Sequence, residues 1–367
     1  MNDLEKSTVD ELAEITVKER FRYATMEQPI IKRLVELALV QERMNPHERA
    51  RPLSTKTGAP EKTVANPTRP KGEIPLKPIE LILGEIKLPA LPQVLLELMR
   101  VINDPKCGAG DIAEVIRLDM SLASHLLRIV NSAYYNFPFT IDTVDRAVTL
   151  IGTKEITTLA FSSSFLNMFT KGDTFFDMEA FWKHSVSCSI AARTLAKRAQ
   201  KGTPERYFVA GLLHDIGRLV LATYTPDLWQ EISQQEEGQE ALPYEREEAL
   251  IGFDHGQFGG ALLAQWNFPN TLIRAVKYHH SPQWSEEFDE AITVHVADII
   301  VNALGIGWDA WSFVPPLSPE AWERLGLETA DVDDVVGETQ EELEKMLSIL
   351  SGVKEFTSPA GENKGST

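Results

Sequence analysis

The stretch Pro204–Tyr224 reads PERYFVAGLLHDIGRLVLATY, and its spacing decides the fold. Apolar side chains recur three and four residues apart, with no two-residue alternation, which is the period of a buried helix. Inside this apolar run stand His214, Asp215 and Arg218. A buried Asp215 with no partner would cost several kcal/mol, so it calls for a metal ion or a neighbouring cation. Packing alone does not explain an adjacent His-Asp pair. Consecutive helix positions diverge by about 100°, so the carboxylate can bridge while the imidazole holds one ion.

The same period extends outward in both directions. Downstream it runs through 227–236, 244–251, 255–266, 270–279 and 289–304; upstream through 178–199, 144–150, 122–130, 111–118 and 93–102. No convincing β-alternation and no Asn-Gly hairpin signal interrupts it. The chain reads as all-α, a multi-helix bundle. Residues 1–45 predict an N-terminal helical arm, with Pro29 suited to a first helical turn. Residues 46–78 contain seven prolines without periodicity and read as an extended linker. Beyond residue 284 the sequence predicts a C-terminal helical extension, with helices at 319–325 and 332–350, frayed from about residue 353.

Composition narrows the function classes. The 367 residues carry a formal net charge of -18, with 36 Lys+Arg against 54 Asp+Glu. That balance argues against a broad nucleic-acid surface, because phosphates are neutralised by Lys and Arg. The acidity is local: residues 284–367 hold 4 Lys+Arg against 18 Asp+Glu. Two cysteines exclude a disulfide framework and a four-cysteine zinc module, and fit a reducing cytoplasm. The N-terminus has no apolar signal core. The longest apolar run, 208–223, is broken by His214, Asp215 and Arg218, so no membrane span is expected.

Five histidines and two aspartates fall within or at the ends of apolar helices: His184, His214, His255, His279, His280, Asp215 and Asp298. Helical bundles build metal sites in this way, from side chains on facing helices. Mixed imidazole and carboxylate ligands suit one or two divalent ions of Fe, Mn or Zn better than Ca. For any one histidine, a neutral hydrogen-bonded core residue is the commoner outcome. Cys188, one turn beyond His184, reads first as a small core hydrophobe and second as a group near a metal.

With HDIG at 214–217, His184 upstream and Asp298 downstream, the sequence resembles the HD superfamily of metal-dependent phosphohydrolases. Its H…HD…D signature falls on His184, His214, Asp215 and Asp298, and His255, His279 and His280 match the further histidines of two-metal members. The resemblance narrows upstream. LPALPQVLLELMRVINDP, IRLDMSLASHLLRIVNSAYYNFP, VDRAVTLIGTKEITTLA, FDHGQFGGALLAQWNFP and IRAVKYHHSP are similar to an HDOD domain, the HD-related output domain of bacterial signalling proteins. The similarity implies an HDOD domain over 79–283, with an N-terminal helical subdomain at 79–172 and an HD-like subdomain at 173–283, completed by the C-terminal extension. Two departures bear on mechanism. HHSPQW at 279–284 replaces the HD-GYP segment, which disfavours cyclic-di-GMP hydrolysis. Arg218 stands where active hydrolases usually carry Lys; it cannot shuttle a proton, but its planar fork can clamp a phosphate.

The resemblance implies a cytoplasmic bacterial regulatory protein whose HDOD domain is a non-catalytic output or protein-interaction module able to bind metal. Its partners would be signalling proteins, with neither nucleic acid nor membrane. The alternative is a metal-dependent phosphohydrolase or phosphodiesterase acting on a nucleotide or phosphate ester, with Arg218 as the phosphate clamp. Three further segments read as structural. Asn131–Tyr135 predicts a capped helix end, Lys183, Arg193, Lys197 and Arg198 a solvated basic stripe, and 308–317 part of a helical cap.

Overall fold

The computed structural model describes residues 3–44, 84, 92–104, 106–132, 135–168, 176–233, 241–285, 289–307 and 313–357. The linker expected at 46–78 lies outside them, as do Ala133, Tyr134, residues 308–312 and the chain end from 358. Every regular element among the described residues is helical, so the all-α expectation holds. No helix among them is long and apolar enough to cross a membrane.

Two compact units form. The smaller groups Pro89–Lys171 with Gly337–Thr367. In it α3 (Gln93–Asn103), α4 (Ala109–Arg117) and α5 (Met120–Val130) are followed by α6 (Val144–Met168), which is kinked at Gly152 (φ 89°) and packs on α4 and α5. Asp119 caps α5 by accepting from the Leu122 amide at 2.9 Å. Asn131, just past α5, closes the next loop. Its side-chain amide donates to the carbonyls of Leu127 and Ile141, and its Oδ1 accepts from the Ile141 amide at 2.7 Å.

The larger unit groups Met1–Leu88 with Gly172–Val336. Its centre is α7 (Met178–Arg198), buried on every face between Ala180 and Ala196 apart from Lys183. Alanine, serine and cysteine side chains make up much of its buried surface, and α7 packs against α8 (Pro204–Leu213) and α14 (Asp289–Ala303). The chain then turns into α9 (Ile216–Tyr224), followed by α10 (Pro226–Ser233), α11 (Pro243–Ile251), α12 (His255–Gln265) and α13 (Asn270–Lys277). α9 packs on α12, α12 on α13, and α13 on α14.

The N-terminal arm is part of this unit. α1 (Asp3–Arg20) packs on α2 (Pro29–Met44), and α2 packs on α14, with Ile30, Ile31, Leu34 and Ala38 buried. α15 (Pro319–Leu325) also lies on α14. The last helix is α16 (Asp331–Thr357). Charge is paired at the start of α16, and one expectation about α7 changes. The first turn of α16 is ion-paired, Asp333 with Arg33 at 2.8 Å and Asp334 with Arg198 at 2.9 Å. The basic residues of α7 form no stripe: Arg193 is 4% exposed, with its guanidinium 4.9 Å from the centre of the Phe208 ring. Residues 313–317 of the segment expected as a cap lie against the N-terminal arm. The Val314 amide donates to the Arg20 carbonyl at 2.8 Å, and the Gln28 side chain donates to the Leu317 carbonyl at 3.1 Å.

Candidate metal centre

All seven residues predicted from the sequence meet in the larger unit. α7 supplies His184. The α8–α9 junction supplies His214 and Asp215, the first residue of α12 is His255, the turn after α13 carries His279 and His280, and α14 supplies Asp298. The junction makes the adjacent pair useful. The chain leaves α8 at His214 and re-enters a helix at Ile216, so the pair sits at a break rather than along one helix face. Just beyond the break, Gly217 allows the close approach of α9 to the start of α12: a Cβ there would run into the carbonyl of His255.

The ligand atoms form two lobes. In the first, His184 Nε2 lies 3.3 Å from His214 Nε2 and 3.1 Å from Asp298 Oδ1, and His214 Nε2 lies 3.7 Å from Asp298 Oδ1. In the second, His280 Nε2 lies 2.8 Å from His255 Nε2, with His279 beside them. Asp215 reaches both: Oδ2 is 3.5 Å from His214 Nε2, and Oδ1 is 2.9 Å from His255 Nε2 and 3.9 Å from His279 Nε2.

Four of the five histidine rings are oriented from behind. The Nδ1 atoms of His184, His214 and His279 face the carbonyls of Ile306, Gly211 and Val276 at 3.3, 2.7 and 2.7 Å, and that of His255 faces Glu247 Oε2 at 2.6 Å. Carbonyl and carboxylate oxygens only accept, so Nδ1 donates in all four rings, and in the neutral form Nε2 turns a lone pair inward. Acceptor atoms therefore converge on one another, together with two carboxylates. His279 Nε2 is buried and has no hydrogen-bond partner. Such a set needs positive charge at its centre, and the residues present fit one or two divalent ions.

The electrostatics show the same demand. Burial opposes ionisation of Asp215, but Arg218, His214 and His255 outweigh it and hold the carboxyl well below its usual range. Burial likewise disfavours a charged His255, and Arg218 adds to that, yet Glu247 and Asp215 push its pKa up to about 9. His279 moves the other way, well below normal, through burial and the neighbouring His214 and His255. Without an ion, the aspartates and Glu247 draw protons onto some rings and leave others neutral.

Four supporting residues escaped the sequence reading of the site. Glu247 is 1% exposed, accepts from the backbone and ring of His255, and lies 3.7 Å from Arg218. Its only sequence signal is its place one turn from Pro243 and one turn from Ile251, both buried. His295 Nδ1 lies 2.8 Å from the His279 carbonyl, and its Nε2 accepts from the Ser318 amide at 3.1 Å. Asn302 donates to Asp298 Oδ1 at 2.7 Å. Tyr244 stacks on His280, the rings 4.2 Å apart. Arg218, expected as a phosphate clamp, donates to Asp215 Oδ2 at 3.0 Å.

A family model described as the HDOD domain matches residues 88–282, more than half of the chain. The chain belongs to the HDOD domain family. Its HDOD domain resembles solved structures in fold. A Geobacter sulfurreducens HDOD domain protein of unknown function matches with a TM-score of 0.58 and 21% identity, over 76% of this chain and 94% of that one. A Marinobacter aquaeolei VT8 protein, whose name suggests signal transduction, gives 0.59 and 22% over 73% and 60%. A Shewanella amazonensis SB2B protein, whose name suggests a phosphohydrolase, gives 0.54 and 24% over 72% and 97%. An uncharacterized Treponema pallidum (strain Nichols) protein is 26% identical over 220 residues, 59% of this chain. The chain spans 42% of that relative's length.

Proposed function

We propose that this chain is a bacterial regulatory protein whose HDOD domain is a non-catalytic, metal-holding output module acting through contacts with a signalling protein. The observation that carries the reading is enclosure. His184, His214, His255, His279 and Asp215 are all at most 1% exposed, and Arg218 is engaged by Asp215 and Glu247. A turnover site keeps an open position for water or substrate and donors aimed at the developing charge. Here the phosphate-clamp candidate is instead spent on holding two buried carboxylates. A bound divalent ion would supply cross-linking, tying α7, the α8–α9 junction, α12, the end of α13 and α14 to one point. The signal-transduction name of the Marinobacter relative agrees with this reading.

A specific observation favours a second reading, phosphate-ester hydrolysis. Asp215 reaches both lobes, as a carboxylate shared between two ions would. One experiment separates the two: metal analysis of the purified chain, followed by a screen with nucleotides, cyclic dinucleotides and an aryl phosphate. The regulatory reading expects one or two divalent ions per chain and no phosphate release above that of Asp215→Asn. Metal-dependent turnover that disappears in Asp215→Asn would establish the hydrolase instead.

A further inference from the structure

The first lobe contains a group that the H…HD…D pattern does not supply. Cys188 sits one helical turn after His184 on α7, fully buried, with Sγ 3.5 Å from His184 Nε2. The ligand atoms of His184, Cys188, His214 and Asp298 all lie within 4.8 Å of one another. Tetrahedral zinc with Zn–N near 2.05 Å and Zn–S near 2.3 Å has edges of about 3.3 Å between two nitrogens and about 3.5 Å between nitrogen and sulfur. The corresponding separations here are 3.3 Å for His184–His214 and 3.5 Å for His184–Cys188. The carboxylate edges, 3.1 and 3.7 Å, bracket the same size. Four of the six separations thus match a small tetrahedron, and the sulfur lies within 4.8 Å of the other two ligand atoms, on His214 and Asp298.

We propose that Cys188 is a metal ligand, closing the His184–His214–Asp298 lobe into a four-ligand N2OS site that selects zinc over harder ions. The proposal rests on the metal-centre reading above and sharpens it. Asp215 Oδ2 borders the same lobe, 3.5 Å from His214 Nε2 and 3.8 Å from His184 Nε2, and an ion held there by four protein ligands including the sulfur has the character of a structural zinc site. A thiolate also favours zinc over Mn, whereas the second lobe, His255, His279 and His280 with Asp215, offers only nitrogen and oxygen. That second lobe includes His280, the one member of the set that is not fully buried, so an ion held there would be the more exchangeable. Gly307 (φ 97°) maintains the spacing from behind. A Cβ there would press on His184 Cβ and the Ala180 carbonyl and displace the His184 side chain.

The test uses the full chain, stripped with a chelator and reloaded with Co(II). Sulfur ligation produces a near-ultraviolet sulfur-to-cobalt charge-transfer band. It is expected in the wild type and in Cys107→Ser, and absent in Cys188→Ser. Cys107 and Cys188 are the chain's two cysteines, so a band that persists in Cys107→Ser arises from Cys188 even where Cys188→Ser fails to fold. Competition with a zinc chelator is expected to show at least about a tenfold loss of zinc affinity in Cys188→Ala, with Mn(II) affinity changed less. Cobalt bound without the band would overturn Cys188 as a ligand while leaving the metal centre intact. A chain that binds no cobalt at all would overturn both.

Discussion

At the scale of single residues, the centre is governed by what stands behind its ligands. Glu247 fixes the His255 ring and shares the Arg218 charge, so Glu247→Gln should lower metal affinity roughly 10–100-fold, as loss of an orienting partner does. A chelator-competition titration, with circular dichroism to confirm the fold, measures this. An unchanged affinity would mean that the His255–Glu247 contact does not orient a ligand. Arg218 tests the choice between structure and chemistry. Arg218→Met leaves Asp215 and Glu247 short of their cation and should cost about 3–5 kcal/mol in urea unfolding of the metal-free chain. If the stability were unaffected, the arginine would be reserved for something other than this pair of carboxylates.

At the scale of elements, the site exists because helices end in the right places. The α8–α9 break points His214 and Asp215 inward, and α9 approaches α12 closely only because residue 217 lacks a side chain. Gly217→Ala should cost about 1–3 kcal/mol as an overpacking change and should weaken metal retention, since it pushes Asp215 away from His255. Metal content after gel filtration reads the second effect, and full retention would show that the two helices can separate without opening the site. In the smaller unit, Asn131→Ala would orphan both the Ile141 amide and its carbonyl, at about 1–3 kcal/mol, while leaving metal content at the wild-type level.

At the scale of the molecule, the N-terminal arm is tied to the ligand shell. Arg20 donates to the Ala303 carbonyl at the end of α14, three residues before the Ile306 carbonyl that faces His184. Deleting residues 1–44 would also uncover the face of α14 that α2 covers and remove Ile30, Ile31 and Leu34 from the core, each worth ~1.5–3 kcal/mol. The truncated chain should melt at lower temperature and lose metal more readily. A truncated chain with the melting point and metal content of the full one would show the arm to be independent of the centre.

How much of this was written in the sequence differs by level. The helical period and the seven side chains that converge in the larger unit were legible, because a 3.6-residue repeat and a charge inside an apolar run are local signals. The HDOD assignment was legible for a similar reason, from motifs that are contiguous in the chain. Tertiary structure alone brought Glu247 behind His255, placed His295 between His279 and Ser318, and turned Arg193 inward. These pairings join residues on different helices or depend on side-chain direction. Neither spacing nor composition encodes the distance between two helix axes; the packed core fixes it, and the chemistry of the centre follows from that distance.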